Sequence, residues 1–324
     1  MYLNQFPQNN EPRNEGITYQ YLGLLLALLG LAALIAVSML KPSSVLTLRA
    51  RTPIVAREKI LEKSPRILPP DPEINAHAYL VRLIGDETPL LKRRSEKSLP
   101  PASLTKILTS IIALEELPPE TKISFSRDAK NTEPKISDAK LNETFRKEDI
   151  IRFAMISSAN DAAVALAEAI GKQKGAHTFT DAMHNFVVLM NDKARALGLL
   201  NSSFKNPTGL DQKNHQTSAE DLARLIEYIW YYHPDLWEIS RTKETIVYSD
   251  SQKEHTIQNT DELLREFPGI QGSKTGLTDE AKGTLILLYP VKPDKTALAV
   301  ILGSENRFED GRRIIQWIEK AFNQ

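Results

Sequence analysis

A chain of 324 residues, 41% hydrophobic and 25% charged, holds ample material for one large core or two modest ones. Its 41 basic and 41 acidic residues cancel, so composition offers no argument for a polyanionic partner such as nucleic acid and fits a solvated surface of mixed sign. The absence of cysteine excludes disulfides, thiolate metal sites and cysteine nucleophiles.

Residues 1–16 are polar and read as a disordered tail. "YLGLLLALLGLAALIAVSML", Tyr21 to Leu40, then runs without a charge for the roughly 20 residues needed to cross the hydrocarbon layer. It exceeds the roughly 7–15 residue core of a cleaved signal peptide, so residues 17–40 are expected to form a transmembrane anchor. Small residues at Ala36-Val37-Ser38 leave cleavage open. Arg13 precedes the span, whereas Lys41, Arg49, Arg51, Arg57 and Lys59 follow it. By the positive-inside rule that bias would put the C-terminal side in the cytoplasm. The chemistry developed below requires the opposite side.

Scattered prolines ending in "ILPPDP" mark residues 41–72 as a linker, and residues 73–324 as the folded domain. "AYLVRLI" alternates as a strand does, and Gly85-Asp86-Glu87 turns it into a second short strand at "PLLK". A helix follows from Ser103 to about Glu116, stopped by Pro118-Pro119. From about 146 to 238 the pattern is mostly helical: "KEDIIRFAMISSANDAAVALAEAIG" ends at Gly171, and "SAEDLARLIEYIWYYH" opens on a Ser-x-x-Asp cap at Ser218. The tail returns to strands at "GTLILLYPV" and "TALAVILG" before a closing helix, "DGRRIIQWIEKAF". Strands at both ends with helices between predict an α+β sheet whose first and last segments come together.

Three sets of polar residues interrupt this pattern. Ser-x-x-Lys occurs at Ser38, Ser103, Ser137, Ser202 and Ser240, but only the Ser103 copy opens an amphipathic helix after Pro-Pro-Ala. Ser103 reads locally as an N-cap and Lys106 as a snorkelling surface lysine. The same spacing also puts Lys106 within reach of the Ser103 hydroxyl. Burial and the positive helix start would then lower the amine's pKa and let it take the serine proton. In "MISSANDAAVALAE", Ser157, Ser158, Asn160 and Asp161 break an apolar helix, which reads as a loop and cap joining two helices or as a polar site. In "GIQGSKTGLT", Gly269, Gly272 and Gly276 imply tight turns or close approach of a ligand to backbone, around Lys274 and Thr275. A hairpin or bulge with a solvated lysine is the alternative there. The order Ser-x-x-Lys, Ser-x-Asn, Lys-Thr-Gly is the signature set of penicillin-binding proteins and serine β-lactamases.

The match extends further. "LPPASLTKILTSIIALE", "SSANDAAVALAE", "FKNPTGLDQKNHQTSAEDLARL", "NTDELL" and "GIQGSKTGLTDEAKG" resemble the D-alanyl-D-alanine carboxypeptidases, the low-molecular-mass penicillin-binding proteins of serine peptidase family S11. The resemblance covers about residues 70 to 324. It implies the transpeptidase fold of penicillin-binding proteins and serine β-lactamases, an antiparallel sheet flanked by helices with a helical subdomain. It further implies that Ser103 attacks the carbonyl between the last two D-alanines of a peptidoglycan stem peptide, with Lys106 as proton acceptor. Ser158 would relay the proton to the leaving amine, and Asn160 would hold Lys106 and the substrate amide. Lys274 and Thr275 would bind the terminal carboxylate of the peptide or of an inhibitory β-lactam. Gly276 would let the strand backbone lie against it, and the amides of Ser103 and Leu277 would form the oxyanion hole. No metal or organic cofactor is implied.

Many members carry a β-rich C-terminal domain and an amphipathic anchoring helix. This chain ends soon after "RRIIQWIEKAFNQ", so the N-terminal span is expected to take over tethering to the bacterial cytoplasmic membrane, with the catalytic domain outside. Ala159 stands where the family often has Gly. The histidines show no close metal-ligand pair; His215, beside "NPTGLD", reads as structural, and Phe204 to Asp211 as packing that orders the site. The competing readings are a DD-endopeptidase cutting cross-links with the same residues, a class A-like β-lactamase and an inactive wall-binding scaffold. The β-lactamase needs an additional glutamate for deacylation, and no convincing candidate loop lies between Asn160 and Lys274. Intact motifs argue against the scaffold.

Overall fold

The computed structural model describes residues 68–134, 137–292 and 294–322. The chain divides into a unit Met1–Pro65 and a unit Arg66–Gln324, and all described residues belong to the second. The expected tail, the anchor and most of the linker lie outside the described residues; among the described ones no helix is long and apolar enough to cross a membrane. The last linker residues pack onto the domain, because the indole N–H of Trp317 donates to the carbonyls of Pro69 and Pro70 at 3.3 and 3.1 Å.

The architecture is α+β. A five-stranded antiparallel sheet has the order β2-β1-β9-β8-β7, formed by β1 (Ala78–Leu83), β2 (Pro89–Arg93), β7 (Gly272–Thr278), β8 (Lys282–Lys292) and β9 (Lys295–Ser304). The first and last strands pair from Ala78↔Leu302 to Leu83↔Ala297, as the pattern predicts. Two small antiparallel ribbons lie apart from it, β3 (Lys122–Ser124) with β4 (Thr144–Arg146), and β5 (Glu244–Tyr248) with β6 (Glu254–Gln258). Their short, mostly exposed strands carry too weak an alternation to be read from sequence.

Both faces of the main sheet are covered, which is why β8 and β9 are continuously apolar. Leu285, Leu287, Ala299 and Ile301 pack with Ile314, Ile315 and Trp317 of the closing helix α9 (Arg307–Phe322). Ile286, Leu288, Leu298 and Val300 face the other way, into the larger core. That core holds Ile107, Leu108 and Ile111 of α1 (Thr105–Glu116) and the helices that carry the rest of the site. These are α3 (Lys147–Met155), α4 (Asn160–Gln173), α5 (Phe179–Ala196) and α6 (Ala219–Tyr232), with the short α2 (Arg127–Lys130), α7 (Asp235–Ser240) and α8 (Leu263–Glu266) around them. Ser218 caps α6 by accepting from the Asp221 amide at 3.1 Å, as its sequence pattern foretells.

The run 146–171 is not one helix. It breaks after Met155, and Ser158 there takes a left-handed conformation (φ 60°) before α4 starts at Asn160.

Candidate active site

The nucleophile candidate sits on a 3₁₀ turn, Ala102–Leu104, that precedes α1. Ser103 caps nothing: the α1 N-cap is Leu104, with no side-chain cap bond. Its Oγ instead meets Lys106 Nζ at 2.8 Å. Far from snorkelling, Lys106 is 0% exposed. Two further oxygens, Asn160 Oδ1 and the Thr208 carbonyl, each accept from Nζ at 2.7 Å.

These partners decide the proton arrangement. Buried ammonium groups ordinarily have a carboxylate partner, and even the partly buried Lys130 has one in Asp161 at 2.5 Å. Lys106 has neutral oxygens. Burial foremost, and the nearby Lys274 charge second, hold its pKa well below the ordinary lysine value, against a smaller opposing pull from Asp161. A neutral amine has two hydrogens and one lone pair. An amide oxygen and a carbonyl can only accept, so the hydrogens go to Asn160 and Thr208 and the lone pair is left for the Ser103 hydroxyl, which alone can donate. Asn160 is fixed in that sense because its Nδ2 donates to the Pro134 carbonyl at 3.1 Å.

Across the cleft, Lys274 and Thr275 lie inside β7 and are buried, not solvated in a bulge before it. Lys274 Nζ donates to Ser158 Oγ at 2.8 Å and to the Thr275 carbonyl at 2.9 Å. When charged it keeps a third hydrogen for a ligand. Burial, opposed by Asp261 and aided by Arg307, brings its pKa down to about 7. The hydroxyls of Thr275 and Thr260 meet at 2.5 Å.

β7 is an edge strand, and its free edge faces the 3₁₀ turn. A Cβ on Gly276 would come 2.8 Å from the Ser103 nitrogen and 2.4 Å from Thr284 Oγ1, so only glycine permits this approach. The Ser273 amide donates to Ser240 Oγ at 3.1 Å on that free edge. Strand alternation places the amides of Thr275 and Leu277 on the same edge. The exposed Leu277 therefore presents its N–H beside Ser103.

The fold thus brings Ser103, Lys106, Ser158, Asn160, Lys274, Thr275, Gly276 and Leu277 together from the start of α1, the break before α4, and β7. Sequence reasoning gave residues 204–211 no chemistry, yet the Thr208 carbonyl is a direct partner of Lys106. Asn206 Oδ1 holds that loop by accepting from the Thr208 and Gly209 amides at 3.2 and 2.8 Å. The signal for a rigid loop, an Asn followed by Pro and Gly, was present; the aim of one carbonyl was not. Two buried carboxylates, Asp161 and Asp261, had no role assigned from sequence. Asp161 accepts from Lys130 and from Ser137 behind Asn160, and Asp261 accepts from Ser273 behind Lys274. His215 is structural: neutral, with its pKa lowered to about 4 chiefly by burial. Its Nδ1 accepts from the Lys205 amide at 3.0 Å, which leaves Nε2 to donate to Thr105 Oγ1 at 2.9 Å.

The family model described as D-alanyl-D-alanine carboxypeptidase matches residues 66–306. The chain belongs to that family. Among curated D-alanyl-D-alanine carboxypeptidases it is 34% identical over 246 residues to DacF of Bacillus subtilis, covering 72% of this chain and 59% of the relative. It therefore spans about three fifths of that relative's length. It is 29% identical over 257 residues to a D-alanyl-D-alanine endopeptidase of Escherichia coli, covering 76% of this chain and 78% of the relative. Its fold is similar to that of the Streptomyces K15 DD-transpeptidase, with a TM-score of 0.70 at 22% identity over 76% of this chain and 98% of the other. It is likewise similar to DacD of Francisella tularensis, with a TM-score of 0.69 at 24% identity, 78% and 72% of the two chains being covered. These two likenesses establish the penicillin-binding-protein type of fold within the carboxypeptidase family.

Proposed function

We propose that the chain is a serine-type D-alanyl-D-alanine carboxypeptidase that removes the terminal D-alanine of peptidoglycan stem peptides. The observation that carries this is the fully buried Lys106 Nζ, 2.8 Å from Ser103 Oγ, whose other two hydrogen-bond partners are neutral oxygens and not carboxylates.

Lys106 takes the hydroxyl proton as Ser103 Oγ bonds to the carbonyl carbon between the two D-alanines. The resulting oxyanion is held by the amides of Ser103 and Leu277, each such donor being worth about 3 kcal/mol. Lys274 and Thr275 hold the terminal carboxylate. Ser158 passes its proton to the nitrogen of the departing D-alanine as the C–N bond breaks and takes in its place the proton held by Lys106, leaving an ester on Ser103 and Lys106 neutral once more. Water then adds to the ester with Lys106 again as base, and the peptide leaves as its free carboxylate. A β-lactam enters the same sequence and stalls as the ester.

Mass spectrometry of the penicillin-treated protein tests this: the adduct is expected on Ser103 and is expected to vanish in Ser103→Ala. An adduct elsewhere, or none, sinks the assignment. A second reading is favoured by the endopeptidase relatives, of which the chain covers 78% and 80%. Product analysis on uncross-linked and cross-linked muropeptides separates the two; cleavage of cross-links alone would replace carboxypeptidase by endopeptidase.

The same reading places the domain outside the cytoplasmic membrane, where the wall is, tethered by residues 17–40. The support is the uncharged run Tyr21 to Leu40 together with the place of the wall polymer outside the membrane. A reporter active only outside the cytoplasm, fused at the C-terminus, is expected to be active. Silence would favour the orientation given by the basic residues after the span.

A further inference from the structure

His255, on β6, has a fully buried side chain and stands between two carboxylates. Its Nδ1 lies 2.7 Å from Asp138 Oδ1 and its Nε2 lies 3.0 Å from Glu143 Oε1. Carboxylate oxygens accept, and a neutral imidazole carries a single N–H, so a neutral ring would set a lone pair against one of them. With a hydrogen on each nitrogen, both contacts become hydrogen bonds. Glu143 does not hold the proton instead. Partial burial works to raise its pKa, but the bonds from the Lys140 amide, at 2.7 Å, and from His255 hold it below the ordinary carboxylate range. Beyond Glu143 comes a further charge, Lys253, at 3.7 Å. Phe145 of β4 and Phe153 of α3 stand nearly perpendicular to the imidazole, with centroids 5.1 and 6.1 Å away, and Val247 lies opposite on β5.

Both carboxylates belong to the chain between α2 and β4, which also reaches the catalytic cluster. There the Pro134 carbonyl accepts from Asn160 Nδ2, and Ser137, beside Asp138, donates to Asp161, beside Asn160. Asn160 in turn accepts from Lys106. From β6, His255 therefore anchors the stretch that sets the Asn160 amide. The two anchors are unequal, since the Asp138 side chain is 59% exposed and that of Glu143 only 8%. A ring with one hydrogen keeps it for Glu143, because an enclosed carboxylate without a donor costs more than one facing water. The Asp138 contact is the one that goes.

We propose that His255 is an imidazolium at pH 7 and a positioning residue: through Asp138 and Ser137 it fixes Asn160, and so the base beside Ser103, and it releases that hold when the ring gives up its second proton. This rests on the reading of Ser103 as nucleophile and Lys106 as base. His255 touches no reacting atom.

The test uses the full chain in detergent with 15N-labelled histidine. His255 is assigned by the signal absent from His255→Gln or, should that variant not fold, by the signal that shifts in Asp138→Ala. It should show a hydrogen on both ring nitrogens at pH 7. Asp138→Ala removes a half-exposed contact, so its Tm should fall by a few degrees at most. Its acylation by penicillin should be about fivefold slower. The ratio of wild-type to Asp138→Ala acylation rates decides the matter, because the titrations of Lys106 and Lys274 are common to both proteins and divide out. That ratio should hold steady while the NMR signals report the imidazolium and approach one as the second proton leaves. A single hydrogen on the ring at pH 7, a ratio of one throughout, or a ratio indifferent to the state of the ring would overturn the positioning role while the carboxypeptidase stands. Absence of a penicillin adduct on Ser103 in the wild type would overturn the underlying reading and the role with it.

Discussion

Gly209 is pressed against Ala102 from the opposite side of the fold: a Cβ built on Gly209 would fall 1.8 Å from the Ala102 carbonyl oxygen. Ala102 itself is in a left-handed conformation (φ 50°), as is Gly209 (φ 89°), and Ser103 follows directly. The loop that supplies the Thr208 carbonyl thus also braces the turn that carries the nucleophile.

Gly209→Ala is expected to fold with a Tm lowered by several degrees, since left-handed backbone costs an L-residue about 1–2 kcal/mol. It should also acylate with penicillin at least about tenfold more slowly, because the clash must move the turn or the loop. Gly198→Ala is the control. It has the same torsional cost (φ 69°) with nothing within 4 Å of the added Cβ, so it should lose stability only. Equal acylation rates in the two variants would dismiss the bracing role.

The pH profile follows from two lysines with opposite requirements. Lys106 must be neutral, so kcat/KM rises with pH through its depressed pKa. Lys274 must be charged to hold a carboxylate, so kcat/KM falls as pH rises through about 7. Bound carboxylate raises the Lys274 pKa, and the alkaline limb of kcat should therefore lie above that of kcat/KM. In Lys274→Met the alkaline limb should vanish. The acid limb should move to higher pH, because the positive charge that disfavours protonation of Lys106 is gone. An acid limb that stays in place would count against the coupling.

Asn160→Asp exchanges a neutral acceptor for a carboxylate 2.7 Å from Lys106 Nζ. An opposite charge at that range raises the lysine pKa by one unit or more, and each unit removes about nine tenths of the neutral base. Penicillin acylation at pH 7 should drop about tenfold or more and recover at alkaline pH. Loss that is equal at all pH values would show that Asn160 acts through geometry alone.

His215 sets a stability limb. Its folded pKa of about 4 lies below the ordinary 6.5, so the unfolded chain binds the proton that the native protein refuses. The contribution is complete above about 6.5 and is lost as pH falls towards 4, on the order of 3 kcal/mol. Urea unfolding at pH 7 and pH 5 should show a smaller difference for His215→Gln than for the wild type. An identical difference would mean that His215 is not neutral in the folded protein.

Local order was written in the chain. Apolar alternation, the Ser218 cap and the paired end strands follow from short-range rules of period and capping, and all are present. The three polar sets could be named for the same reason: each is a local breach of those rules. Whether Lys106 was a snorkelling lysine or a buried one was a tertiary matter. Its spacing from Ser103 is the same in either case, and only the closure of α4, β7 and the loop after Asn206 around it removes water and provides neutral acceptors in place of a carboxylate. Lys274 likewise looked solvated because three glycines suggest a turn. It is a strand residue because β8 offers it a ladder from Thr284 to Leu288. Protonation depends on desolvation and on partners 54 and 102 residues away, and no rule of local spacing contains either.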